Sequence, residues 1–166
     1  MTAGVEDTNK AITLAVDLGG TRIKLGVLEG YTLLATAVLD AQSHAGLDSQ
    51  LDRVRNALER LCTEQSIVPN KILGIGMGFP GLLDQNQGTI LSTIDKYPDA
   101  PDLDLNAWAQ AHWGIPLSLD NDVNLALLGE CVVAGGDTLK NAVIMTIGTG
   151  IGTAAMVDGT LFRGGH

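Results

Sequence analysis

The stretch Ala11–Leu28, AITLAVDLGGTRIKLGVL, decides how the rest of the chain is read. Ala11–Asp17 is a short apolar run ending on an acid, which suits a buried strand. A Gly19-Gly20-Thr21 turn follows, and Arg22–Leu28 then alternates polar and apolar residues as the hairpin partner. Glycines at such a turn let the backbone bend tightly and present N–H groups to an anion with no Cβ in the way. Thr21 adds a hydroxyl donor, and Asp17 stands at the strand end. No helix follows the loop, so it matches neither the P-loop nor the dinucleotide fingerprint. The bland alternative is an ordinary hairpin with a Gly-Gly turn.

Working outward, Thr32–Leu39 reads as a third strand of an antiparallel meander. The period then changes: Leu47, Leu51, Val54, Leu58 and Leu61 recur at helical spacing, and Pro69-Asn70 ends that helix. Lys71–Phe79 (KILGIGMGF) reads as a strand with Gly74, Gly76 and Gly78 on one face and Leu73, Ile75, Met77 and Phe79 on the other. A bare glycine face admits another backbone or a ligand. Pro80-Gly81 is a turn, Asp84–Leu91 a small hairpin, and Pro98–Asp104 an acidic loop. Leu105, Trp108, Ala109 and His112 mark a short helix, and Pro116–Leu119 a brief strand.

Asp120 or Asn121 then caps a helix carrying Val123, Leu127, Cys131 and Ala134, which ends at Gly135-Gly136. Asn141–Ile147 and Ile151–Val157 are two more strands, joined by a second glycine loop, Gly148-Thr149-Gly150-Ile151-Gly152. The closing hairpin resembles the opening one. The chain therefore reads as one α/β lobe and the opening of a similar lobe.

The 166 residues are 45% hydrophobic, enough for a folded core, and carry a formal net charge of −9. That balance argues against a nucleic-acid or anionic-membrane partner. It leaves nucleotides open, because backbone N–H groups and a metal ion hold phosphates on acidic proteins. Cys62 and Cys131 read as buried thiols of a reducing compartment, and no Cys or His spacing fits zinc. No apolar run suits a secretion signal or a membrane span, so a cytoplasmic protein is expected. Residues 1–10 are expected to be a flexible N-terminus, 11–120 an N-terminal lobe, and 121–166 an interlobe helix with the start of a second lobe.

Asp122 is the best candidate base. At a helix N-terminus its ionised form is favoured, and a carboxylate there can take the proton of an attacking hydroxyl. Asn121 and Asn124 offer amides suited to a polyhydroxy ligand. The plain alternative is that these residues only cap a helix. Arg22 and Lys24 most simply lie on the exposed face of a strand, although they are close enough to Gly20 to help neutralise a phosphate. His112 reads as a last-turn helix residue, and Trp108 and Trp113 as packing.

Taken together, these motifs resemble the N-terminal half of a ROK-family sugar kinase, within the hexokinase–actin–Hsp70 ATPase superfamily. Asp17-Leu18-Gly19-Gly20-Thr21 is similar to the first phosphate motif, and Gly148-Thr149-Gly150-Ile151-Gly152 to the second. Gly76-Met77-Gly78-Phe79-Pro80-Gly81 resembles the family's glycine-rich strand and turn, whose last glycine approaches the sugar. Asp120-Asn121-Asp122-Val123-Asn124, followed by Gly129-Glu130, resembles the segment in which Asn binds sugar hydroxyls and Asp is the catalytic base. Thr153 replaces a usual glycine, Asp120 a usual Glu, and Ser92-Thr93 a commoner Pro-Asn.

The resemblance implies a ribonuclease H-like (actin-like ATPase) α/β lobe, with a mixed sheet flanked by helices, plus the first strands of a second similar lobe. It implies ATP-dependent phosphorylation of a hexose or N-acetylhexosamine, with Mg²⁺ bridging phosphates near Asp17. Catalysis then falls to Asp122; sugar contacts to Gly81, Asn121, Asn124 and Gly148; and nucleotide contacts to Asp17, Gly19, Gly20, Thr21, Lys24, Gly148, Thr149 and Gly150. A homodimer is expected. The family's Glu-x-Gly-His sugar motif, its Cys-rich zinc motif and its adenosine-holding part would fall after His166, so any zinc site is expected outside these residues. No helix-turn-helix precedes the first strand, which points away from the repressor branch. The rival reading is a non-catalytic sugar-binding or dimerising relative.

Overall fold

The protein is described by a computed structural model at residues 11–85, 87–134, 138–148 and 150–163. The expected flexible segment 1–10, the helix end at Gly135-Gly136, and Thr149 lie outside the described residues.

Alternation builds the first strand. Ile12, Leu14, Val16 and Leu18 of β1 (Ile12–Leu18) are buried, while Thr13, Ala15 and Asp17 between them are half-buried. β2 (Arg22–Glu29) and β3 (Thr32–Asp40) complete the meander, Asp17 standing opposite Lys24. β4 (Ile72–Phe79) and β7 (Leu117–Asn121) add to the other side of β1, both parallel to it, giving the order β3-β2-β1-β4-β7. Between β4 and β7 lie a two-stranded ribbon, β5 (Gly81–Asp84) with β6 (Thr89–Thr93), and helix α2 (Leu105–Trp113). Helix α1 (Asp48–Glu64) buries the Leu51, Val54, Leu58 and Leu61 stripe against one sheet face, in one cluster with Leu14, Val16, Ile75, Met77 and Phe79.

One expectation needs correcting. Leu73 does not share the core face of Ile75 and Met77; it is 58% exposed. The β1–β4 register shifts between Ile12 and Thr13, whose partners are Ile72 and Gly74, so Leu73 is the extra residue of a bulge. Pro98–Asp104 is the expected acidic loop, and two of its acids hold helix starts. Asp99 accepts from Leu47 N (2.6 Å) and Asp48 N (3.0 Å) at the start of α1, and Asp104 caps α2 through Ala107 N (2.8 Å).

Helix α3 (Asp122–Ala134) leaves the end of β7 directly. It packs Leu127 and Cys131 on a second sheet, β8 (Ala142–Ile147), β9 (Ile151–Val157) and β10 (Thr160–Leu161), in a separate cluster with Ala154, Met156 and Leu161. Gly152 permits that contact: a Cβ there would stand 2.5 Å from Val123 Cγ2. Val143, Met145, Ile147 and Ile151 of this sheet are exposed. Both cysteines are buried free thiols. No helix among the described residues is long and apolar enough to cross a membrane.

Candidate active site

The first glycine loop is tied down by its carbonyls. Gly19 O accepts from Tyr97 Oη (2.8 Å), Gly20 O from Ser43 Oγ (2.8 Å) and Thr21 O from Ala41 N (3.0 Å). The Gly20 and Thr21 N–H groups have no hydrogen-bond partner among the described residues, which leaves them for an anion. Gly19 differs from this expectation. Its N–H is spent within the turn on Arg22 O (3.0 Å), and a Cβ there would meet that same oxygen at 2.6 Å. Gly19 shapes the turn, and Gly20-Thr21 carries the donor edge.

At the end of β1, Asp17 lies beside Gly78 of β4 in register, so no side chain of that neighbour covers it. Lys24 pairs with it at 3.0 Å, both side chains substantially exposed. Lys24 is therefore engaged by Asp17 rather than free to meet a phosphate. Asp122 shares a 490 Å³ cavity with Asp17, Lys24 and Gly78. Desolvation pushes the Asp122 carboxyl above its ordinary value and the Asp17 charge adds to the rise, against opposing pulls from the Val123 N–H and from Lys96. The helix N-terminus alone favours the ionised form, as expected from sequence, but burial outweighs it here.

Asn121 is the cap of α3: its Oδ1 accepts from Val123 N (3.0 Å) and Asn124 N (3.3 Å). Its Nδ2 also donates to Gly81 O (3.3 Å), tying the helix start to the turn after β4. The capping and ligand-facing readings thus coexist in one side chain. Asn124 Nδ2 donates to Asp120 Oδ1 (3.0 Å). Asp120 is a buried hub, taking hydrogen bonds also from Gln85 Nε2, from Asn121 N (2.7 Å) and from Arg163 Nη2 (2.7 Å).

These groups line one connected cleft. Gly81, Asn121, Asp122, Gly148 and Gly150 share a 460 Å³ cavity with Lys96. Gly81, Asn121 and Asn124 also line a neighbouring 480 Å³ cavity with Arg163. Gly20 and Thr21 line a third, of 420 Å³, again with Lys96 and Gly150. Gly148 N is spent on Gly150 O (2.9 Å), while a Cβ at Gly148 or Gly150 would meet nothing within 4 Å, so their bare surface is open to a ligand. Gly81 is glycine for the protein's own sake, since a Cβ there would stand 2.5 Å from Ser92 O.

Sequence reasoning missed Lys96, Tyr97, Gln85 and Arg163. For Lys96 a signal existed: it is the one base in the otherwise acidic run Asp95–Asp104. Among the described residues no group of three or more His, Cys, Asp or Glu could hold a metal ion. Asp17 lines a cavity with Asp122. A single carboxylate such as Asp17 suits Mg²⁺, which binds through one or two carboxylates and completes its shell with water and phosphate oxygens.

The chain is 30% identical over 154 residues to a beta-glucoside kinase of Listeria innocua, covering 92% of this chain and 49% of that protein. The ROK hexokinase of Thermus thermophilus has the same fold, with a TM-score of 0.74 and 30% identity over 93% of this chain and 49% of that one. The inorganic polyphosphate/ATP-glucomannokinase of Arthrobacter sp. strain KM matches with a TM-score of 0.69 and 27% identity, over 93% of this chain and 61% of that one. The chain spans about half the length of the curated relatives it matches. The α/β architecture is that of ROK sugar kinases with the actin-like ATPase fold. With the ROK family model matching residues 13–166, this chain belongs to the ROK family.

Proposed function

We propose that this chain is the N-terminal part of an ATP-dependent sugar kinase acting on a hexose or N-acetylhexosamine hydroxyl. The observation that carries the reading is the placement of Asp122: desolvated, raised above its ordinary value, and in one cavity with Gly81, Asn121 and Gly150. A carboxylate held that way is a stronger base than an exposed one. It accepts the proton of the attacking sugar hydroxyl as that oxygen approaches the phosphorus. Asn121, tied to Gly81, and Asn124, oriented by Asp120, hold neighbouring hydroxyls with the amide capacity left over. The Gly20 and Thr21 N–H groups stabilise charge on the phosphoryl oxygens. Asp17 would hold Mg²⁺, which when bound neutralises charge on the donor phosphates.

The test is phosphorylation by the intact protein that contains these residues, over a panel of hexoses and N-acetylhexosamines. ATP and inorganic polyphosphate are each offered as donor, because a relative is named for both. Sugar-dependent turnover that collapses in Asp122→Asn supports the reading. Sugar binding without turnover from either donor replaces it with the non-catalytic alternative.

A further inference from the structure

We infer that Lys96 supplies the positive charge that holds the transferring phosphoryl group between the first glycine loop and Asp122. The inference rests on the kinase reading above and assigns one more residue to that site.

Gly20 presents a bare backbone to Lys96. A Cβ on Gly20 would stand 2.6 Å from Lys96 Cε, 3.1 Å from Cδ and 3.2 Å from Nζ. The lysine stem therefore lies flat on the Gly20 backbone. Its ammonium is delivered beside the Gly20-Thr21 donor edge, where an anion would be received.

Asp95 and Tyr97, on either side of Lys96, are non-glycine residues in the left-handed region, at φ 55° and 53°. Such conformations are strained and persist only where the surroundings over-determine them. Here they do. Tyr97 is fully buried, its N–H donates to Ser43 O (2.8 Å), and its hydroxyl donates to Gly19 O. Two residues on, Asp99 clamps the start of α1. The anchors that hold this turn against strain are the same ones that hold the glycine loop, so Lys96 and the loop form one rigid unit.

Lys24 is paired with Asp17, whereas Lys96 has no ion-pair partner among the described residues. It lines both the cavity of Gly20-Thr21 and the cavity of Asp122. A group spanning those two cavities is where a phosphoryl group must pass to reach the base. Two carboxylates and an incoming polyanion also need a cation at that point.

The test compares Lys96→Met, which keeps the stem and removes the charge, with Lys96→Arg, which restores a charge. In the intact protein, Lys96→Met is expected to lower kcat by about 10²–10³, the usual loss for one preorganised donor at a developing charge. Sugar KM stays within about threefold and the melting temperature stays level, because the stem packing survives; Lys96→Arg recovers part of kcat. Tripolyphosphate titrated by calorimetry is expected to bind at least ~10-fold more weakly to Lys96→Met. Wild-type kcat and tripolyphosphate affinity in Lys96→Met overturn the inference, as does a loss accompanied by a fall in melting temperature. If the wild type turns over no sugar but its tripolyphosphate binding still depends on Lys96, the kinase reading fails and the phosphate site stands.

Discussion

Arg163 Nη2 stands 2.7 Å from Asp120 Oδ2, and this ion pair joins the segment after β10 to the end of β7, 43 residues earlier. Asp120 keeps only 10% of its side chain exposed, while Arg163 keeps 44%. The pair therefore bridges the two sheets at the rim of the Asn121–Asn124 cavity.

Arg163→Ala is expected to cost little stability, about 1 kcal/mol or less, because its end of the pair is wet. Asp120→Ala is expected to cost more, roughly 1–3 kcal/mol, because Gln85, Asn124 and the Asn121 N–H lose one shared acceptor. Denaturant midpoints measure both. The sugar KM of Asp120→Ala should rise well beyond its change in kcat, since this carboxylate orients the Asn124 amide and not the base.

Asp122→Asn is expected to lower kcat by about 10²–10⁴ with sugar KM changed only a few-fold. Stability should move the other way. A carboxyl whose folded value is raised contributes stability below its unfolded value and loses it as pH rises through the folded value. Asp122→Asn should therefore gain in melting temperature over the wild type as pH rises, and the gap should close near the acid end. Melting curves across pH check it. The acid limb of kcat/KM should also lie above the ordinary carboxylate range, and should fall in Asp17→Asn, which removes a neighbouring negative charge.

Tyr97→Phe deletes the hydroxyl that holds Gly19 O. Burial first, and then the Asp17 charge, push the Tyr97 phenol up to about 12. Its raised folded value means that wild-type stability is complete below the free phenol range and declines as pH climbs toward 12. Tyr97→Phe should lose about 1–2 kcal/mol at neutral pH and lack this part of the alkaline decline. Base-induced unfolding of the two proteins, followed by circular dichroism, separates them.

The glycines divide in two. Gly81→Ala drives a Cβ against Ser92 O and the Phe79 ring, at 2.5 and 2.7 Å, and should cost roughly 1–3 kcal/mol. Gly150→Ala meets nothing within 4 Å and should leave the melting temperature level while reducing kcat. Parallel melting and rate measurements would show a stability defect in the first and a rate defect alone in the second.

Much of the fold is legible in local pattern. The alternation of Ile12, Leu14 and Val16, the helical spacing from Leu47 to Leu61, and the turn at Gly19-Gly20 each follow from contacts within a few residues. The Asn121-Asp122 pair is legible for the same reason, because a helix start is a local event. The exposure of Leu73 is not legible, because a bulge depends on how two strands meet, nor is the clamp of Asp99 on Leu47 and Asp48, because those backbones lie 52 and 51 positions away.

The sequence by itself determined the order of elements, the glycine loops, and the residue types capable of the chemistry, since these rest on backbone preference and hydrophobic period. The tertiary structure alone decided that β4 and β7 run beside β1, bringing Asp17, Gly78 and Asp122 to one cleft. It also decided that Lys96 lies on Gly20, 76 positions along the chain, that Lys24 is spent on Asp17, and that burial raises Asp122 against its helix. Desolvation and through-space charge depend on what surrounds a group in three dimensions, and no local stretch of sequence encodes that.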